Sequence, residues 1–448
     1  MKITEYVFDN GLKLIYQKRP DPLTAVSIQC CVGSVNEPTN LNGNINLNGI
    51  SHMIEHMMFK GTTNIRDTKG IAKIFDSIGA YFNAYTDKNI TSYTVKSSSE
   101  HIEIIIKTLA DMLMNSLFLK KEFELEKNVV NEEIIRAIDN TAGHLNSEIY
   151  SLYFEGNNLE NSVGSTPDVI NKYNHAEAKK YYKTFYKPSN MVVSICSNLD
   201  IEVIKKTIES SYLLTKKSSE FVNTLYTNKG QLVKQVGIRS KAIDRKLEQT
   251  HIGLGFRTTN MYNDDKYLLD IARVILAGNM SSRLFTDLRE DRGLTYTIHI
   301  DATEYRPSGH FTILTSVDKK RLIEYEDKGE IKMGALKVIR QSLDKFINEG
   351  ITESELEKAK GYIDGKLVLA NEDALNVSDY NGKLIAFDFD YVIPIQRLFK
   401  IKYSLITRKA VNKAIKKYFK KDNMSIFLIG DKVTRIIPDA VNIFESLK

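Results

Sequence analysis

The sequence predicts an α+β fold: two homologous α/β-layer domains, each a sheet with helices packed on it, produced by internal duplication. Three observations predict it. A chain of 448 residues, 42% of them hydrophobic, is too long for one ordinary core and has enough apolar surface for two. It also repeats itself at about half its length. Phe185-Tyr-Lys-Pro-Ser-Asn190-Met191 answers to Tyr418-Phe-Lys-Lys-Asp-Asn423-Met424, and Glu124-Leu125-Glu126-Lys127 to Glu355-Leu356-Glu357-Lys358, at offsets of 233 and 231. Finally, strand-like apolar runs and long amphipathic helical patterns follow each other without the strict alternation of a parallel sheet. The expected domains are residues 1–215 and 236–448, joined by a polar, basic linker at 216–235.

Taken in order, MKITEYVFDNGLKLIY reads as a strand, an Asn-Gly turn and a second strand. Ala25 to Val32, Met191 to Cys196, His251 to Phe256 and Ser425 to Ile429 are apolar runs of strand length. The basic stretches Lys179 to Lys187 and Lys413 to Lys421 each precede an apolar run. They read as solvated helix ends, where Lys complements the dipole.

The charge balance is 62 Lys+Arg against 56 Asp+Glu, a net +6 spread along the chain, which gives no reason to expect a nucleic-acid or membrane surface. Cys30, Cys31 and Cys196 make neither a disulfide framework nor a Cys-x-x-Cys metal spacing, so a reducing compartment is expected. The first residues lack a secretory core, and no uncharged apolar run reaches membrane-spanning length. These features predict a soluble, cytoplasmic protein.

The chemistry-bearing motif is His52-Met53-Ile54-Glu55-His56. On a helix, two histidines four apart share one face at about 5–6 Å, close enough for both imidazoles to reach one metal. Glu55 borders that face. Ser51 and Asn48 are possible caps, Ile50, Met53, Ile54 and Met57 supply packing, and Gly61 ends the helix. The pattern is the inverted form of His-Glu-x-x-His. A catalytic zinc needs a third protein ligand and an open position. The helical stretch Glu122 to Asp139 offers one. At about 100° per residue, Phe123, Val130, Ile134 and Ala137 form its apolar face, and Glu126 and Glu133 border it together. Glu133 is the better candidate ligand. Glu126 is placed to hydrogen-bond a ligand histidine or the zinc-bound water, and its spacing suits an ordinary partner for a surface Lys equally well.

These residues resemble the M16 metallopeptidases. The resemblance runs through Val32-Gly33-Ser34 with Glu37-Pro38, His52 to Thr62 (HMIEHMMFKGT) and Gly79-Ala-Tyr-Phe-Asn83-Ala84-Tyr-Thr86. In the second half it includes Asn279 to Phe285 and Leu288-Arg289 through Tyr296. The length is similar to that of the short two-domain branch containing the mitochondrial processing peptidase and its bacterial relatives. The resemblance implies His52, His56 and Glu133 as ligands of one Zn2+ per chain, Glu55 as general base and Glu126 as a second acid. It implies Asn83 and Ala84 on an edge strand that pairs with the substrate backbone, and Arg289 and Tyr296 as the pair that holds the substrate carbonyl and its developing oxyanion.

It further implies a zinc endopeptidase or oligopeptidase acting on peptides or presequences in a closed chamber. A clam-like dimer would bring Arg289 and Tyr296 to the zinc in trans. An intact motif and an intact Arg/Tyr pair in one chain favour a homodimer over pairing with an inactive partner. Two departures stand out, a long Asn-rich loop from Asn40 to Gly49 and a single glycine in Ala277-Gly278-Asn279. Neither touches a ligand. The competing readings are a non-catalytic scaffold subunit, against which the complete motif argues, and a zinc hydrolase of non-peptide substrates. The second half has no paired histidines, and by the 231 offset its counterpart of Glu133 is Asp364.

Overall fold

The computed structural model describes residues 3–38, 46–214 and 232–447. Residues 40–45 of the Asn-rich loop and most of the expected linker at 216–235 lie outside these residues. Two compact units emerge, interleaved along the chain: residues 1–136, 161–229 and 368–397 form the first, and 137–160, 230–367 and 398–448 the second. Each expected domain span thus supplies most of one unit and lends a segment to the other.

The first unit carries a six-stranded sheet. Its strands are β1 (Ile3–Val7), β2 (Lys13–Lys18), β3 (Leu23–Cys30), β4 (Tyr81–Thr86), β5 (Thr91–Ser98) and β6 (Met191–Ser197), in the order β1-β2-β6-β3-β5-β4. Only β2 and β6 run parallel. Every residue of β6 is buried, because it lies inside the sheet with the helix Ala374–Ala386 packed on it, and that is why it reads as a mainly apolar run. Gln17, Ser27, Gln29, Ser92 and Ser194 share one face by cross-strand register. The helix Ala374–Ala386 lies on that face and meets it with polar contacts: Asn381 donates to Gln17 at 2.9 Å, Ser378 to the Ser194 carbonyl at 2.8 Å, and Asp379 accepts from Tyr85 at 2.6 Å.

The second unit has β7 (Arg239–Asp244), β8 (Gln249–Thr258), β9 (Ile298–Glu304) and β10 (Gly309–Asp318), a separate hairpin of β11 (Glu324–Asp327) and β12 (Glu330–Met333), and β13 (Met424–Gly430). Its five-stranded sheet runs β7-β13-β8-β10-β9. Here the helix Thr141–Glu148 and the turn after it reach the sheet over Gly253 and Gly255. A Cβ on Gly253 would sit 2.5 Å from a Leu145 methyl, and one on Gly255 would collide with the Phe311 carbonyl.

Both units therefore follow one plan, and the structure revises the register of the repeat. Helices Lys120–Asp139 and Glu353–Glu372, helices His175–Phe185 and Arg408–Tyr418, and strands β6 and β13 all begin 233 residues apart. Buried Phe123, Glu126 and Val130 then fall on buried Leu356, Ala359 and Ile363. The Glu-Leu-Glu-Lys match at 231 is two residues out of phase with this, and the counterpart of Glu133 is Lys366 rather than Asp364. Burial patterns align repeats better than short identities, because the packed face is what a duplicated helix must preserve.

Candidate metal centre

The site lies wholly in the first unit. His52, Glu55 and His56 stand on the helix Ile50–Met57, whose buried face includes Ile50, Met53, Ile54 and Met57 as expected. Its start differs from expectation. Gly49, at φ 87°, is the N-cap, and neither Ser51 nor Asn48 caps the helix with its side chain. The buried Glu37 takes that place: its carboxylate accepts from the Gly49 N–H at 2.6 Å, the Ser51 N–H at 2.8 Å and the Asn48 amide at 3.1 Å. A carboxylate at this end satisfies first-turn donors and complements the helix dipole. Burial drives the Glu37 carboxyl up to about 7, while the three hydrogen bonds pull it down.

The third ligand candidate comes from the helix Lys120–Asp139, the one read from sequence as 122–139. Phe123, Val130 and Ile134 are buried as the periodicity predicts, but Ala137 is exposed and Lys127 is buried. Burial of the wheel's apolar face ends at Ile134, so Ala137, close to the end of the helix, carries no packing. Lys127 instead donates to the Tyr173 carbonyl at 2.8 Å.

The imidazole Nε2 atoms of His52 and His56 are 3.2 Å apart, and Glu133 Oε2 lies 3.7 Å from the first and 3.4 Å from the second. Among the described residues these three form the one group of His, Cys, Asp or Glu that converges this way. Ligand atoms about 2.05 Å from a shared ion at tetrahedral angles lie roughly 3.3 Å from one another, so the three separations fit a tetrahedral zinc. The fourth corner is left without a protein ligand from this group, as a catalytic site requires. Glu126 Oε1 sits 2.8 Å from His56 Nδ1. A proton on Nδ1 bonded to this carboxylate leaves the Nε2 lone pair for the metal.

Residues 13–167 match the Insulinase (Peptidase family M16) domain and residues 172–362 the Peptidase M16 inactive domain. The chain belongs to peptidase family M16. Its M16 relatives include an uncharacterized zinc protease of Bacillus subtilis, 30% identical over 85% of this chain and 87% of the relative, and one of Rickettsia bellii, 33% identical over 86% and 88%. The crystal structure of a protease from Helicobacter pylori shares the fold at a TM-score of 0.84 and 20% identity, covering 96% of this chain and 99% of that one. A putative M16-like peptidase from Alicyclobacillus acidocaldarius does so at 0.80 and 18%, covering 96% and 98%. Among the described residues no helix is long and apolar enough to cross a membrane.

Within this M16 chain the electrostatics follow from burial and pairing. Burial, reinforced by the neighbouring His56, pushes His52 down to about 4, so its ring is neutral and free to donate a lone pair. Burial pushes His56 down too, but its bond to Glu126 and the carboxylates of Glu133, Glu126 and Glu55 together outweigh this and raise it. Burial raises Glu126, yet its bonds with His56 and Lys60 dominate and leave it below the usual carboxylate range. Glu55 is raised, chiefly by burial, against a 2.6 Å hydrogen bond donated by Thr86.

Thr86 ends β4, the edge strand that carries Asn83 and Ala84, paired on one side with Thr94 and Tyr93 of β5. The edge of the sheet thus runs up to the candidate base. Arg289 and Tyr296 belong to the second unit and meet each other. The Arg289 guanidinium lies 4.6 Å over the Tyr296 ring and donates to the Tyr296 carbonyl at 3.0 Å, and Tyr296 is 77% exposed. Sequence reasoning missed Glu37 as the cap, Thr86 as the partner of Glu55 and Lys60 as the partner of Glu126. The His52–Thr62 and Gly79–Thr86 blocks contain the last two, but no local periodicity pairs residues so far apart.

Proposed function

We propose that the chain is a zinc-dependent endopeptidase that hydrolyses peptide bonds of peptides or presequences in a closed chamber, with one Zn2+ bound by His52, His56 and Glu133. The observation that carries this reading is the convergence of those three side chains at 3.2–3.7 Å with a buried glutamate, Glu55, on the same helix. Zinc bound there supplies a water of lowered pKa and a Lewis acid for the scissile carbonyl. Glu55 accepts the proton of the attacking water and returns it to the leaving amine. Thr86 holds the Glu55 carboxylate in place from the strand side. Asn83 and Ala84 lie on an edge strand whose free side suits a substrate backbone added as a further strand, which makes recognition tolerant of side chains.

In the same reading Arg289 and Tyr296 stabilise the oxyanion. They reach it from a second copy of the chain in a clam-like dimer, with an inactive relative as the alternative partner. The test compares wild type with Glu55→Gln on a mixed peptide library, with metal analysis of both and mass measurement of the assembly. Zinc near one per chain and cleavage by the wild type alone are expected. Equal cleavage by both proteins, or a zinc-free wild type, sinks the reading.

A further inference from the structure

Glu126 has two carboxylate oxygens and the metal site uses one. Oε1 faces His56 Nδ1 at 2.8 Å, while Oε2 is paired with the ammonium of Lys60. This is not an exposed ion pair: the Glu126 side chain is 5% exposed and that of Lys60 21%. Lys60 enters from the turn that closes the motif helix, where the Phe59 N–H bonds the His56 carbonyl at 3.1 Å and the Lys60 N–H the Met57 carbonyl at 3.2 Å. The residue that grips Glu126 is thus tied by backbone to the ligand that Glu126 orients. Exposed lysine pairs contribute little, but a buried carboxylate deprived of one partner is left with an unsatisfied oxygen and freedom to turn.

We infer that Lys60 is a positioning residue of the metal centre: its ammonium clamps the second oxygen of Glu126, so that the first holds His56 Nδ1–H and aims His56 Nε2 at the metal. The inference rests on the zinc reading above, and it can fail separately from it. Lys60→Met keeps the aliphatic stem and removes the ammonium, whereas Lys60→Arg keeps a charged donor. Zinc affinity of the full chain is measured by competition with a chromogenic chelator, and the 15N shifts of the His56 ring are recorded in the metal-free protein. Loss of such an outer partner is expected to weaken zinc binding about 10–100-fold. Lys60→Met should also shift the His56 ring from the Nδ1–H form towards a mixture, and Lys60→Arg should restore both readouts.

Wild-type affinity and ring shifts in Lys60→Met would overturn the inference. So would a loss of fold in metal-free Lys60→Met that Lys60→Arg does not repair, which would make Lys60 a purely structural residue. If the wild type binds zinc but cleaves no peptide, the peptidase reading fails while affinity and ring shifts still decide the role of Lys60. If the wild type binds no zinc, the ring shifts decide it alone.

Discussion

Thr86→Val isolates a single hydrogen bond at the candidate base. Valine is nearly isosteric with threonine and suits a strand, so β4 and its pairing with β5 should survive. What disappears is the 2.6 Å donation from Thr86 Oγ1 to Glu55 Oε2. A hydrogen bond to a charged group contributes about 1.5–3 kcal/mol. Its loss raises the Glu55 carboxyl further, beyond the rise that burial already causes. The sign follows because the hydroxyl donates to the ionised form, so without it Glu55 needs a higher pH to act as a base.

The assay is the pH dependence of kcat/KM on an internally quenched peptide, with zinc held constant. The acidic limb should move to higher pH with the alkaline plateau nearly intact, and Thr86→Ser should keep the wild-type limb. Superimposable profiles for Val and wild type would refute the argument. A uniform loss at every pH would also refute it, since that would mean Thr86 shapes the substrate strand rather than the base.

Two further outcomes test the scaffold. Glu37→Ala removes the acceptor for two backbone N–H groups and one amide at the buried start of the motif helix, and it should cost roughly 2–5 kcal/mol in urea unfolding; a loss below about 1 kcal/mol would mean that water or another acceptor replaces it. In the second unit, burial and then the nearby Asp270 push Glu304 from 4.5 up to about 7, against the pull of Lys266 and Arg273. A raised folded-state pKa gives stability that is complete below 4.5 and lost as pH rises through about 7. Glu304→Gln should therefore gain on the wild type across that window and be the more stable of the two at pH 8; a difference in unfolding free energy that stays constant from pH 5 to pH 8 would contradict this.

Much of the site was legible in the chain because its parts obey local periodicities. His52 and His56 share a face through the 3.6-residue turn, and the same rule placed Glu126 and Glu133 together along their helix. The strands from Leu23, Met191, Gln249 and Met424 were visible as apolar runs because strands inside a sheet are largely buried. The wheel misjudged Ala137 because periodicity does not show where along a helix the packing ends, here at Ile134, and the short Glu-Leu-Glu-Lys identity misaligned the repeat by two residues.

By itself, then, the sequence determined two α/β-layer halves, an inverted zinc motif and the face of a distant helix that would answer it. Periodicity within an element needs no knowledge of its neighbours. Only the tertiary structure decided that Glu133 comes to within 3.7 Å of both histidines, that Glu37 caps the motif helix, that Thr86 meets Glu55 and that Lys60 closes on Glu126. Each of these joins elements whose meeting depends on how sheet and helices pack, and a carboxylate carries no local mark of the distant donor that burial will force upon it.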